Sequence, residues 1–184
     1  LRIQFQDVLA KERAFKGRVK LAGNLPYVIS SPVLFKVLEE KDLFSKCVFL
    51  LQKEVAERIV ARPGSKEYAP LSVFFQMDFE TRLHFTVAPG SFSPPPLVQS
   101  ALISLTRRPD SLYAVKDRDH FQTFVRTAFA KRRKTLLNNL KSLGLSQLII
   151  KKALEQASLR DYVRAEQVSI AQLVTLFELL APSS

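Results

Sequence analysis

An amide, a proline and a tyrosine stand together at Asn24-Leu25-Pro26-Tyr27, between a short apolar run and a helix-like run. An amine on an aromatic ring, such as N6 of adenine, is a poor nucleophile because its lone pair is delocalised. Two acceptors on its two N–H groups would pull the nitrogen toward tetrahedral geometry. The side-chain oxygen of Asn24 and the backbone carbonyl of Leu25 can be those acceptors. Pro26 restricts Leu25 to an extended backbone, which would turn its carbonyl outward.

Two aromatic residues can hold the ring of such a substrate. Tyr27 offers a flat face on which a base stacks, and this face favours a ring that becomes positive during methyl transfer. Phe92 lies in SFSPPPLVQS, a loop that its prolines stiffen, and supplies a second face that would clamp a flipped base. An ordinary packing role stays open for both: Tyr27 in a helix-entry turn, and Phe92 as the hydrophobic anchor of a proline loop.

The elements around these residues alternate between strand and helix, which predicts an α/β domain over residues 1–109. Ligands bind at the carboxyl ends of strands in such sheets, and residues 24–27 directly follow a strand at 19–22. Ser31 is the expected N-cap of the next helix, with Pro32 at its first position and its end near Glu40. The other predictions are strands at 2–6, 47–51, 83–87 and 101–105, and helices over about 52–61 and 71–77.

The character of the chain changes after about residue 109. Residues 110–184 show helical spacing and no obvious strand, so they predict a small all-helical domain. Phe121, Phe124 and Val125 share one face of its first helix. Gly144 ends a helix, and two further helices are expected in SQLIIKKALEQA and SIAQLVTLFELLA.

The net charge of +11 and a pI near 10 indicate a polyanionic partner. Residues 120–154 contain eight basic residues and no acid, whereas ordinary surfaces intersperse both signs. Within this stretch Lys131, Arg132, Arg133 and Lys134 are consecutive and are predicted to cover more than one helix face and to contact RNA phosphates. Asn138 and Asn139 would add polar contacts to RNA. A solvated helix end is the alternative.

Several other classes of protein are disfavoured. Cys47 is the single cysteine, so an internal disulfide is excluded and a reducing cytosol fits. His84 and His120 are isolated, and no Cys/His cluster predicts a metal. No apolar stretch of 18 residues predicts a membrane span. Methyl transfer from a sulfonium needs no strong base, so the lack of a catalytic histidine is compatible with the chemistry above.

Four blocks carry a family resemblance: GNLPYVISSPVLFKVL, LLQKEVAERIVARPGSKEYAPLSV, FSPPPLVQSALISL and FAKRRKTLLNNL. In this order they resemble the KsgA-type small-subunit ribosomal RNA adenine dimethyltransferases. The likeness implies a Rossmann-like methyltransferase domain, S-adenosylmethionine as cofactor, and N6-dimethylation of two adjacent adenines in a hairpin loop near the 3′ end of 16S RNA. It further implies that Asn24, Leu25 and Tyr27 orient the adenine, that Phe92 stacks on it, and that Asp7 and Asn24 contact the cofactor.

The resemblance also shows departures. Gln6-Asp7-Val8 replaces the usual Gly-Asp-Ala, and Gln99 replaces a common aspartate. The glycine-rich loop, the ribose-binding acid and the first strands of the family have no counterpart here, so this chain alone is expected to bind cofactor hardly at all. Two other functions stay open: a related large-subunit RNA methyltransferase that confers antibiotic resistance, and a non-catalytic RNA-binding or ribosome-assembly factor.

Overall fold

Four strands form one mixed sheet in a computed structural model that describes Phe5 and residues 17–181. The strands are β1 (Val19–Asn24), β2 (Phe44–Gln52), β3 (Phe79–Val87) and β4 (Ser100–Arg107), in the order β1-β2-β4-β3. β1 and β2 are parallel, whereas β4 is antiparallel to both of its neighbours. This architecture and the helices around it confirm the predicted α/β fold class.

The antiparallel direction of β4 brings four strand ends to one border of the sheet. Ser100, the first residue of β4, pairs with Gln52 at the end of β2 and with Val87 at the end of β3. Asn24, the last residue of β1, pairs with Leu50 of β2. We call the border that Asn24, Gln52, Val87 and Ser100 define the site edge.

Seven α-helices complete the described part of the chain. They are α1 (Tyr27–Glu39), α2 (Lys53–Val60), α3 (Pro70–Asp78), α4 (Arg118–Ala128), α5 (Leu136–Leu140), α6 (Gln147–Gln156) and α7 (Ile170–Leu180). The predicted helical positions Phe121, Phe124 and Val125 are buried on α4. Gly144 ends the 3₁₀ turn after α5 with a positive φ of 78°, a conformation that glycine adopts without a steric penalty.

Helix α1 begins earlier than the sequence pattern predicts. Pro26 is its N-cap, with φ −54° and ψ 136°, so Ser31 lies inside the helix and the N-cap prediction was wrong. The Pro26 carbonyl accepts bonds from the Ile29 N–H at 3.0 Å and from Ser30 Oγ at 3.1 Å, which stabilises the earlier start. Pro32 is tolerated within the helix at the loss of one backbone hydrogen bond.

The predicted strand at residues 2–6 falls almost wholly outside the described residues. Phe5 is described, and it is helical, so the strand prediction is wrong at that residue. Its ring meets that of Phe44 edge-on, with 5.2 Å between centroids. Asp7, the predicted cofactor contact, lies outside the described residues.

The chain divides into two compact units. The first is drawn from Leu1–Val60 and Phe74–Leu112 and contains the whole sheet, whereas the second is drawn from Ala61–Val73 and Tyr113–Ser184 and is helical where described. The core of the second unit includes the rings of Phe121, Phe124 and Phe177, with centroids 5.3 to 6.4 Å apart. The structure groups residues 61–73 with this helical unit, although they precede the predicted boundary near residue 109.

Candidate active site

Two hydrogen-bond acceptors at the end of β1 have no partner among the described residues. They are the side chain of Asn24, which is exposed, and the backbone carbonyl of Leu25. The Leu25 N–H donates to the Leu50 carbonyl at 3.2 Å and so extends the β1–β2 ladder by one residue. The first hydrogen bond of α1 is donated by the Ile29 N–H to the Pro26 carbonyl, so the helix does not use the Leu25 carbonyl as an acceptor. The structure therefore leaves available both acceptors that the sequence predicted.

Gly23 makes room for this arrangement. A Cβ atom at residue 23 would lie 3.1 Å from Leu25 Cδ2 and 3.8 Å from the Phe49 ring. The first distance is closer than ordinary van der Waals contact, so a larger residue would displace the Leu25 side chain. The glycine thus lets Leu25 lie close to the strand while its carbonyl remains unbonded.

Tyr27 is the first residue of α1 and is half-buried at the site edge. A hydrogen bond of 2.9 Å joins its Oη to Ser100 Oγ, and Ser100 is only 2% exposed. The bond fixes the outer end of the tyrosine ring to the start of β4. Sequence reasoning did not single out Ser100. Ser100 directly precedes the strand predicted at 101–105, and the sequence offers no signal that separates it from Ser104 within that strand.

Phe92 lies in the loop between Val87 and Ser100, and both ends of this loop are at the site edge. Phe92 follows a 3₁₀ turn at Pro89–Ser91, where its N–H donates to the Pro89 carbonyl at 3.1 Å. Its backbone is extended and its side chain is half-buried. The topology therefore brings the ends of the loop that contains Phe92 to the same border as the segment 24–27, which the local sequence pattern could not show.

A surface groove of about 350 Å³ lies at the carboxyl end of β2. Lys53 and Gln99, which both line the groove, are joined by two hydrogen bonds. The Lys53 N–H donates to the Gln99 carbonyl at 2.9 Å, and Lys53 Nζ donates to Gln99 Oε1 at 3.1 Å. Gln99 therefore keeps a polar contact with Lys53 at the position where the family commonly has an aspartate. The groove is lined by Gln52, Lys53, Glu54, Glu57, Val98 and Gln99.

The basic block lies in a turn of the second unit, not on a helix as predicted. Lys131, Arg132, Arg133 and Lys134 connect α4 to α5, and all four are exposed. The helix stops at Ala128, and α5 starts only after Thr135, whose side chain caps it by accepting from the Asn138 N–H. In the turn, the four cations are not confined to one helix face.

The residues around the basic turn have different contacts. The Arg132 guanidinium donates to the Lys66 carbonyl and thus ties the turn to the loop that precedes α3. Asn139 is buried, and its Nδ2 donates to the carbonyls of Ala128 and Lys131, so the prediction that Asn139 contacts RNA is wrong. Asn138, in contrast, is exposed. Arg133 has no hydrogen bond or ion pair to any described residue.

Three further features of residues 17–181 bear on the kind of site. This part of the chain contains no cluster of three or more potential metal ligands from His, Cys, Asp and Glu. Cys47 is fully buried, and burial raises the pKa of its thiol to about 12. No helix within the described range is long and apolar enough to cross a membrane.

Comparison with known proteins shows the family of the chain. The model of the family described as "Ribosomal RNA adenine dimethylase" matches residues 1–182. The chain belongs to the ribosomal RNA adenine dimethylase family. Two relatives in the dimethylase family, both named Ribosomal RNA small subunit methyltransferase A, come from Geobacter metallireducens and Xanthomonas campestris pv. campestris. They are 44% and 42% identical to this chain over 96% of its length. The chain spans 64% and 66% of their own lengths.

Solved structures show the same fold. A dimethyladenosine transferase from Plasmodium falciparum matches with a TM-score of 0.74 at 24% identity, covering 91% of this chain and 68% of its own. The 23S rRNA methyltransferase ErmE matches with a TM-score of 0.67 at 23% identity, covering 91% of this chain and 67% of its own. Both likenesses support the methyltransferase fold predicted from the sequence.

Proposed function

We propose that this chain carries the adenine-binding and RNA-binding parts of an S-adenosylmethionine-dependent rRNA adenine N6-dimethyltransferase. Its substrate is the pair of adjacent adenines in a hairpin loop near the 3′ end of 16S RNA, in a precursor of the small ribosomal subunit. Membership of the dimethylase family supports the reaction, and the names of the small-subunit relatives support this RNA over large-subunit RNA. The buried single thiol and the RNA substrate favour a cytoplasmic location.

The observation that carries the proposal is the pair of unbonded acceptors at the end of β1. The Asn24 side-chain oxygen and the Leu25 carbonyl each accept one N–H of the adenine N6 amine. Withdrawn from conjugation, the nitrogen lone pair would be available to bond the methyl carbon of a sulfonium donor, whose carbon–sulfur bond would break and leave a neutral thioether. The proton then leaves the positively charged nitrogen to water, so no side chain has to act as a strong base.

Tyr27 and Phe92 hold the base between them while the acceptors act. The target adenine leaves its stack and lies against the Tyr27 ring, whose orientation is fixed through Ser100. Phe92 approaches from the loop that stands at the same site edge. Because every base has a π-face, this clamp supplies affinity, whereas the two acceptors select an exocyclic amine.

Residues of the site edge fit one side of a cofactor that donates methyl groups. S-adenosylmethionine, when bound, supplies an electrophilic methyl group on a sulfonium. Asn24 stands at the carboxyl border of the sheet, where such cofactors bind, and its exposed amide can contact the cofactor as well as the amine. By family resemblance Asp7 holds the adenine amine of the cofactor.

Exposed cations in the turn of the second unit bind the RNA backbone. Lys131, Arg133 and Lys134 have no acidic partner among the described residues, so their charges are available for phosphates. Arg132 contributes its charge while its guanidinium also holds the Lys66 loop. Asn138, exposed on the first turn of α5, adds a polar contact.

The experiment is methyl transfer to two RNAs, assayed with the full product of the gene and S-adenosylmethionine. Small-subunit particles that lack the modification should gain N6,N6-dimethyladenosine at two adjacent positions, detected by mass spectrometry of RNA fragments. Unmodified large-subunit RNA should gain none. Modification of the large-subunit RNA alone would favour the resistance methyltransferase, and RNA binding without any modification would favour the assembly factor.

A further inference from the structure

We propose that Ser100 is a positioning residue for methyl transfer, because its buried hydroxyl fixes the ring plane of Tyr27 and links it to the loop that carries Phe92. The proposal rests on the proposed function of the site edge. Nothing in the sequence pattern of residues 24–27 requires a hydroxyl at residue 100. The structure brings the two residues together over 73 positions of sequence.

Ser100 is a fixed point of the sheet. Its backbone is paired with Gln52 on one side and with Val87 on the other, and its residue is 2% exposed. The preceding residue is fixed as well, because both the backbone and the side chain of Gln99 are bonded to Lys53. A group bonded to Ser100 Oγ is therefore held in register with the ends of β2 and β3.

Tyr27 needs such a fixed point. Its Cβ is anchored on the first turn of α1, but the residue is only half-buried, so packing alone does not enclose its ring. The hydroxyl lies at the opposite end of the ring from Cβ. The 2.9 Å bond to Ser100 therefore restrains both ends of the ring and sets the plane on which the adenine stacks. A small misplacement of a bound substrate is costly, because the reacting atoms must be aligned for attack.

The same serine ends the loop that bears the second aromatic face. Phe92 and Ser100 are separated by seven residues, of which Pro94, Pro95 and Pro96 have restricted backbones. One face of the clamp is thus hydrogen-bonded to Ser100, and the other is connected to it through a short, stiff segment. In this arrangement Ser100 sets the position of Tyr27 relative to Phe92.

The test is a double-mutant cycle on the full product of the gene, with Ser100→Ala, Tyr27→Phe and the combined variant. Ser104→Ala is the matched control: it lies on the same strand and the same face, is 5% exposed, and also loses a hydrogen bond, here to His84 Nε2 at 2.8 Å. Ser100→Ala should lower the single-turnover rate of methyl transfer by about 3- to 10-fold, the effect of losing one neutral hydrogen bond. The affinity for RNA should stay within twofold of wild type.

The cycle separates positioning from general stabilisation. If the bond itself matters, the combined variant should be no slower than the slower single variant, since both substitutions remove one interaction. Ser104→Ala should lower the melting temperature comparably while keeping the wild-type rate. Equal rates for Ser100→Ala and Ser104→Ala, or fully additive losses in the cycle, would overturn the proposal. If Ser100→Ala fails to fold, Ser100→Thr replaces it, because threonine keeps the hydroxyl. The proposal then requires that Ser100→Thr transfer methyl groups faster than Tyr27→Phe.

A second measurement keeps this test independent of the proposed function. An RNA hairpin with 2-aminopurine in place of the target adenine reports base stacking by its fluorescence. Ser100→Ala and Tyr27→Phe should change the bound-state signal in the same way, and Ser104→Ala should leave it as in wild type. If the wild-type protein transfers no methyl group to the RNA, the proposed function is refuted. If Ser100→Ala leaves the bound-state fluorescence unchanged, the role of Ser100 is refuted.

Discussion

At the scale of single residues, the candidate site consists of two hydrogen-bond acceptors that are available to a ligand. The exposed side chain of Asn24 and the Leu25 carbonyl have no partner among the described residues, so both can accept from a bound amine at the end of a strand. Their residue types and the following proline were sufficient to predict this from the sequence. The partner of Tyr27 was not predictable, because Ser100 is distant in the sequence and serines at strand ends are common.

Phe92→Ala tests the second face of the clamp. Loss of the ring should weaken binding of the flipped adenine by about 1–3 kcal/mol, the usual range for a base stacked on an aromatic side chain, whereas Phe92→Trp should be milder. Binding is measured with a 2-aminopurine hairpin. Leu97→Ala is the control, because Leu97 lies in the same loop and is fully exposed. A collapse of the melting temperature in Phe92→Ala would show that Phe92 serves packing instead.

At the scale of elements, the direction of one strand assembles the site. The alternation of strands and helices predicted an α/β sheet, but it does not encode which way β4 runs. The antiparallel course of β4 places its amino end beside the carboxyl ends of the other strands, and with it the loop that contains Phe92. Pairing partners depend on tertiary packing, so the sequence pattern supplied the strands and left their order open.

The burial of Cys47 in strand β2 predicts low reactivity of its thiol. Burial raises the pKa of the Cys47 thiol from 9.0 to about 12, so the native thiol stays neutral where an unfolded one ionises. Native protein at pH 8 should react slowly with a thiol reagent and rapidly in denaturant. The folded state favours the protonated form, so its stabilising contribution is complete below about pH 9 and is lost as the pH rises toward 12.

Chemical denaturation at several pH values measures this loss. The unfolding free energy of the wild type should fall relative to that of Cys47→Ala between pH 9 and the upper limit of the experiment, because the variant lacks the thiol but keeps every other titrating group. Parallel curves for the two proteins, or rapid alkylation of the native thiol, would contradict the burial of Cys47.

The basic turn between α4 and α5 also makes a prediction. Arg133→Ala and Arg132→Ala should each lower RNA affinity and reduce the slope of log K against log salt by about 0.7–0.9, the effect of one lost phosphate contact. Lys151→Ala is the matched control, because the charge of Lys151 is already paired with Asp161 at 2.7 Å. Filter binding at several salt concentrations gives the slopes. A slope unchanged in Arg133→Ala would show that this arginine does not contact phosphate.

At the scale of the whole molecule, the candidate adenine site and the basic turn belong to different units. The sheet and its acceptors lie in the first, and the basic turn lies in the second. The net charge of +11 and the acid-free stretch are features of the sequence alone, and they indicate a polyanionic partner, whereas the choice of RNA came from the family resemblance. The assignment of residues 61–73 to the second unit could not be predicted in this way. The contacts that hold them, such as the bond from Gly64 N–H to the Glu166 carbonyl, join distant parts of the sequence.

The central claim is that Asn24 activates the N6 amine, and single-turnover methyl transfer by Asn24→Ala tests it most directly. The full product of the gene is mixed with labelled S-adenosylmethionine and unmodified small-subunit particles, and RNA affinity is measured alongside. Asn24→Ala should be slower than wild type by ~10²-fold or more, since its oxygen acts at the reacting centre, while the Kd for RNA stays within twofold. Asn24→Asp, which keeps an acceptor oxygen, should retain more activity. A rate for Asn24→Ala within about threefold of wild type would contradict the account.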